Sequence, residues 1–138
     1  ATAGFTVRRR WPLTGASIGV PTWLYGHEPP HVFAPRVAKF FSNALREEAL
    51  LRLADAGVID LPGAAGTVQE IFQAVTPRYY SDGGDVPPLI FVGIEHWTRT
   101  LPAWPLVTAL AQGRPLAGRI HLCDTVAEAA AFLTGAAA

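Results

Sequence analysis

The sequence has no methionine and a single cysteine, Cys123. One cysteine excludes an internal disulfide. Its place in the apolar run Arg119–Cys123 marks a buried structural thiol rather than a nucleophile. Such cysteine usage fits a reducing, cytoplasmic setting. No apolar run approaches the roughly 20 residues that span a bilayer, and the N-terminus lacks the apolar core of a signal peptide. Charge is also scarce, at 16 % of residues, with eleven basic residues against eleven acidic ones. This balance gives no field for a nucleic-acid polymer or a membrane surface. The run Arg8-Arg9-Arg10 is the one basic cluster, and three residues read as a solvated arm. So little charge for a free-standing domain points to apolar surface covered by another chain or by a missing segment.

What is present fits one domain: 138 residues, half of them apolar. Residues 1–16 show no clear period and are expected to form an arm or loop. "SIGVPTWLY" from Ser17 is a strand candidate disturbed by Pro21. "GHEPPHVFAP" (Gly26 to Pro35) is a loop. A helix is expected over Val37 to Ala56, stopped by Gly57. "VIDL" (Val58 to Leu61) reads as a short buried strand. Val68, Ile71, Phe72 and Val75 then mark one face of a helix that should end near Pro77. "LIFVG" (Leu89 to Gly93) is the clearest buried strand. A helix near Ala103 to Gln112, a strand over Arg119 to Cys123, and an alanine-rich helix over Val126 to Thr134, capped by Asp124 or Thr125, complete the chain. Short apolar strands alternating with helices predict an α/β fold, a Rossmann-like parallel sheet with helices on both faces. In such sheets ligands bind beyond the carboxyl ends of the strands, so the loops after Tyr25, Leu61 and Val92 matter most.

The loop after Leu61 carries the strongest motif, "PGAAGTVQE" from Pro62 to Glu70. Two readings share it. Thr67-Val68-Gln69-Glu70 matches the capping box S/T-x-x-E, with the glycines as turn residues. Alternatively, Gly63, Ala64, Ala65, Gly66 and Thr67 form an anion site. Small residues let the backbone approach a phosphate, and the first amides of the helix point at it. The loop should then place Ala64 at negative φ, and Gly63 or Gly66 at any left-handed position. At about 100° per residue, Glu70 lies roughly 160° from the Val68–Ile71–Phe72–Val75 stripe and faces away from that core. The motif is neither a Walker loop nor G-x-G-x-x-G.

"PGAAGTVQE" resembles the P-G-G-x-G-T-x-x-E signature of the LOG proteins, cytokinin riboside 5′-monophosphate phosphoribohydrolases once misannotated as lysine decarboxylases. Pro62, Gly63, Gly66, Thr67 and Glu70 stand where that family has them, and Ala64 replaces its second glycine. Arg46 in "NALREEALL" stands close to the place of the family's helix arginine. The resemblance runs from about Ser17 to Leu133. It implies that the loop 63–67 holds the 5′-phosphate of a nucleoside monophosphate and that Glu70 and Arg46 are catalytic. It implies no metal and no other cofactor. The family's N-terminal half, with its glycine-rich loop, has no counterpart here, so the chain is expected to be the C-terminal part of a larger domain or to assemble as a homo-oligomer such as a dimer.

Other residues carry weaker signals. His27 and Glu28 are expected at the pocket rim, whereas His27, His31 and His96 fit no standard zinc spacing. Read without the resemblance, Arg46 with Glu47 and Glu48 is a solvated helix face. Tyr79 and Tyr80 either stack on a base or pack under the following loop. Trp97, Trp104 and Phe91 read as core or subunit interface. The expected activity is hydrolysis of the N-glycosidic bond of a nucleoside 5′-monophosphate. The alternatives are a protein that binds a nucleotide or molybdenum cofactor without cleaving it, and an inactive fragment.

Overall fold

The computed structural model describes residues 2–12, 15–23, 32–82 and 86–135. The chain divides into two compact units, Ala1–Leu50 and Leu51–Ala138.

In the first unit, helix α1 spans Thr2–Arg10 where an arm or loop was expected, and none of its residues is buried. A helix without a buried stripe leaves no apolar period in the sequence, which is why the pattern there was silent. Arg8 holds it to the later chain, its Nη1 donating to the Val32 carbonyl at 2.7 Å. Strand β1 (Ile18–Gly19) pairs in parallel with β2 (Arg36–Val37), and a bridge between Thr22 and Phe40 extends the pairing. The helix expected from Val37 therefore starts later, and α2 spans Asn43–Leu53. The amides of Ala38 and Phe40 donate to Gly19 and Pro21 at 2.9 and 3.1 Å. A backbone committed to these non-local partners cannot close helical turns. Gly57 does not stop α2 but turns the chain into the next strand at φ 136°.

The second unit is a three-stranded parallel sheet in the order β3-β4-β5, comprising Val58–Asp60, Leu89–Val92 and Ile120–Cys123. Helix α3 (Ala65–Tyr79) connects β3 to β4, α4 (Ala103–Ala111) lies between β4 and β5, and α5 (Val126–Thr134) follows β5. Every residue of β4 is buried. Leu89 and Phe91 pack with Ile71, Ala74 and Val75 of α3 and with Val107 of α4. Ile90 and Val92 pack with Cys123 and with Ala129 of α5. Both faces are covered, so the strands are apolar without alternation. Ile71, Leu89, Ile90 and Phe91 are fully buried, each burial contributing about 1.5–3 kcal/mol. This is the Rossmann-like α/β arrangement. Trp97 and Phe91 are core residues, meeting edge to face at 5.6 Å, with Trp104 against Phe91 at 5.4 Å.

Helix α3 runs through Pro77 to Tyr79 instead of ending at it. The proline falls in the last turn, where only one amide bond is lost, and Arg78 Nη1 donates to the Ala74 carbonyl at 2.8 Å beside it. Helix α5 is capped as expected at Thr125. Glu128 N donates to Thr125 Oγ1 at 3.2 Å, and Thr125 N donates back to Glu128 Oε2 at 2.9 Å. These bonds, the Thr125 hydroxyl foremost, hold the Glu128 carboxyl below its usual range. The Cys123 thiol is buried, and its burial pushes its pKa up, as suits a structural residue. Among the described residues no helix is long and apolar enough to cross a membrane.

Candidate functional site

Parallel strands bring the loops after β3, β4 and β5 to one end of the sheet, and hydrogen bonds tie those loops together. The imidazole of His96, in the loop after β4, stands 3.1 Å by Nε2 from the carbonyl oxygen of Gly63. A carbonyl only accepts, so Nε2 carries the proton. Gly93, at φ 103°, packs on Pro62, with its Cβ position 3.1 Å from the proline Cγ. Ile94 N donates to Asp124 Oδ1 at 2.8 Å, and Gly93 N donates to the Cys123 carbonyl at 2.7 Å. His96 also meets Trp97 edge to face at 4.6 Å. Trp97 is anchored by Nε1 donating to Val92 O at 3.0 Å. The chain closes this segment with a π-turn, Leu101 N donating to His96 O at 2.8 Å.

The loop after β3 settles the capping question. The N-cap of α3 is Ala64, at φ −121°, and no side chain caps the helix. Thr67 and Glu70 therefore do not form a capping box, because the helix begins three residues too early for Thr67 to be its cap. The first intrahelical bond is Val68 N to the Ala64 carbonyl at 3.0 Å. The amides of Ala65, Gly66 and Thr67, the first three helical residues, have no acceptor within the helix. Residues 64, 65 and 66 are exposed. Nothing lies within 4 Å of the place where a Gly66 Cβ would stand. Ala64 has the negative φ expected of it. Neither Gly63 nor Gly66 is left-handed, since the positive-φ glycines among the described residues are Gly57, Gly93, Gly113 and Gly135. Gly63 is needed for close approach instead. Its Cβ would run into the Thr67 hydroxyl and lie 2.8 Å from Thr67 Cβ.

The two glycines should thus respond in opposite ways. Gly63→Ala is expected to lower stability by about 1–3 kcal/mol, because a threonine in a helix has little χ1 freedom to yield. Gly66→Ala should raise stability by roughly 0.5–1 kcal/mol as a helix-propensity gain. Urea denaturation of the two variants checks this. The same Gly66→Ala variant should weaken nucleotide binding if an anion approaches that amide.

Glu70 lies one turn into α3 and is half-buried. It does not face away from the core as expected. The stripe that α3 buries is Ile71, Ala74, Val75 and Arg78, and at about 100° per residue Glu70 flanks it by roughly 90°. Beside it stands a residue that sequence reasoning missed. Asp60 ends β3, is 6 % exposed, and feels the charge of Glu70. Burial first, then Glu70, push its carboxyl up to about 7, against the pull of Arg78. A lone carboxylate inside the apolar run "VIDL" marks Asp60 as unusual in the sequence, but not its place beside Glu70.

Arg46 stands on α2, in the Ala1–Leu50 unit, with Nη2 3.6 Å from Glu47 Oε1. Glu47 is buried, so Arg46 and Glu47 are not a solvated face. His27, Glu28 and His31 lie outside the described residues. Tyr79 and Tyr80 sit at the far end of α3, about 22 Å from its start by helix length. The Tyr79 ring carries Arg114, whose Nη2 donates to the tyrosine hydroxyl at 3.0 Å. These tyrosines are thus placed away from the 62–67 loop. Among the described residues no cluster of three or more His, Cys, Asp or Glu side chains could hold a metal ion.

A parallel α/β sheet with an uncapped helix start after its first strand, and a carboxylate one turn on, defines a Rossmann-like protein with an exposed loop–helix junction. Residues 4–133 match the family described as possible lysine decarboxylase, and the chain belongs to that LOG-like family. No curated protein matches it.

Proposed function

We propose that this protein hydrolyses the N-glycosidic bond of nucleoside 5′-monophosphates, releasing the free base and ribose 5-phosphate. The observation that carries the reading is the start of α3. A carboxylate, Glu70, stands one turn inside a helix whose residues 65 and 66 are exposed and whose N-cap is alanine, with no side-chain cap bond. In this reading the 5′-phosphate lies on the amides of Gly63 to Thr67, with the Thr67 hydroxyl as a further donor. Glu70 stabilises the positive charge that grows on the ribosyl carbon as the base departs, or orients the attacking water. The part of Arg46, to hold Glu70 ionised or to assist the leaving base, rests on the family resemblance. Assembly with further protein is part of the same proposal. Phe41, Leu45 and Leu53 stand 76, 60 and 78 % exposed, which is apolar surface fit for a second chain or the family's N-terminal half.

The test is incubation of the protein with AMP, GMP, CMP and UMP, scored chromatographically for free base. Release of base from a monophosphate but not from the matching nucleoside supports the reading. Binding of the monophosphates without release would favour a nucleotide-binding protein. Neither release nor binding would leave the loop as a turn.

A further inference from the structure

Asp60 has no part in the mechanism just described. Its register partner on β4 is Phe91, and Phe91 packs beneath Ile71, Ala74 and Val75 of α3. Asp60 therefore lies on the sheet face that α3 covers. The chain leaves β3 at Asp60 and re-enters as α3 at Ala65, so Asp60 sits under the first turns of that helix, where Glu70 precedes Ala74 by one turn. The Asp60 side chain is buried, and among the described residues its Oδ2 has no hydrogen-bond partner. A charged oxygen in that position would lose its hydration without a hydrogen bond in return.

The charged groups that act on Asp60 are both on α3, Glu70 and Arg78. On β4 its register partner is the uncharged Phe91. Arg78 pulls the other way, but its Nε donates to the Pro87 carbonyl at 2.9 Å and its Nη1 to that of Ala74 at 2.8 Å rather than to Asp60. Two acidic groups in reach of one another, one of them buried and unsatisfied, cannot both ionise cheaply.

We infer that Asp60 is a positioning residue for Glu70: the two form a carboxyl pair at the foot of the 62–67 loop that carries one proton at neutral pH, and the buried Asp60 holds it. Of the two carboxyls, only Glu70 is then ionised. The pair's consequence for turnover rests on the proposed hydrolase reading. A second negative charge there repels a 5′-phosphate, so the singly protonated pair is the form that binds substrate.

The pair is read without any activity by carbon NMR of the full chain labelled at its aspartate carboxyls, across pH 4–9. The sequence has five aspartates, Asp55, Asp60, Asp82, Asp85 and Asp124. One resonance should titrate near neutrality. Asp60→Asn should remove it, and Glu70→Gln should move its midpoint down while the other four stay in place. Five ordinary acid-range titrations, or an Asp60 midpoint indifferent to Glu70→Gln, would overturn the pair. Should Asp60→Asn fail to fold, the Glu70→Gln shift decides alone. In steady-state assays with AMP, the ratio of wild-type to Asp60→Asn KM should rise about tenfold from pH 6 to pH 8. That is the effect of one charge over roughly 10 Å at an effective dielectric constant near 20. The ionisation of AMP itself cancels in the ratio. A flat ratio with the NMR titration present would make Asp60 structural and overturn its positioning role. Absence of any hydrolysis beside a positive NMR result would count against the hydrolase reading and leave the pair standing.

Discussion

Replacing Glu70 by glutamine should reduce base release from nucleoside monophosphates by at least about a hundredfold, the scale of losing one electrostatic contact to a transition state. Stability should change far less, by about 1 kcal/mol or under, the usual scale of a single substitution that opens no cavity. The structure sharpens this contrast. Had Glu70 closed a capping box, part of any loss could be assigned to a frayed helix. The helix instead starts at Ala65 with Ala64 as N-cap and no side-chain cap, so Glu70 is not the third residue of a capping box. Glutamine keeps the length of the side chain and one acceptor oxygen, replaces the other with a donor amide, and removes the charge. kcat at saturating AMP, measured beside a thermal melt, checks both halves. A variant within a few-fold of wild type would remove Glu70 from the chemistry.

The same four-residue pattern occurs twice in this chain and means different things. At Thr125-Val126-Ala127-Glu128 it forms the box, because Thr125 is extended at φ −124° and ψ 150° directly after β5. At Thr67 the small residues Ala65 and Gly66 let the helix begin earlier, and the Thr67 side chain is placed against Gly63. The local sequence cannot distinguish these outcomes, because the helix start is set by how the loop packs. β4 was legible because burial on both faces writes an unbroken apolar run, and β3 and β5 because each is apolar but for one residue, Asp60 and His121. The start of α2 was not, because Val37 and Phe40 fit a helical stripe as well as they fit the parallel pairing with Ile18–Gly19 and Thr22. Non-local hydrogen bonds leave no local mark. Of the candidate site, the loop and Glu70 could be read from the motif. Asp60 and the hold of His96 on Gly63 could not, since both depend on which strand ends meet.

Asp60 should also shape how stability depends on pH. Its pKa rises on folding from the ordinary 3.8 to about 7. Between those values the folded protein binds a proton that the unfolded chain has released. Stability must then fall as pH rises through that window, by the linkage relation. The stabilisation is fully present below about pH 4 and gone above about pH 7. The gap sets a ceiling of roughly 4 kcal/mol, and a loss of a few kcal/mol is expected. Other groups slope the other way. The Glu128 carboxyl, held below its usual range by Thr125, favours the folded state less as pH falls. The comparison that isolates Asp60 is therefore a difference. Asp60→Asn carries no titratable group at that position, while the α5 cap is unchanged. Urea denaturation of both proteins at pH 4.5 and pH 8 should show the asparagine variant gaining on the wild type by a few kcal/mol at the higher pH. Parallel curves, with a constant offset at both pH values, would mean that Asp60 ionises alike in the folded and unfolded states. The burial of its carboxyl would then have no electrostatic consequence for folding.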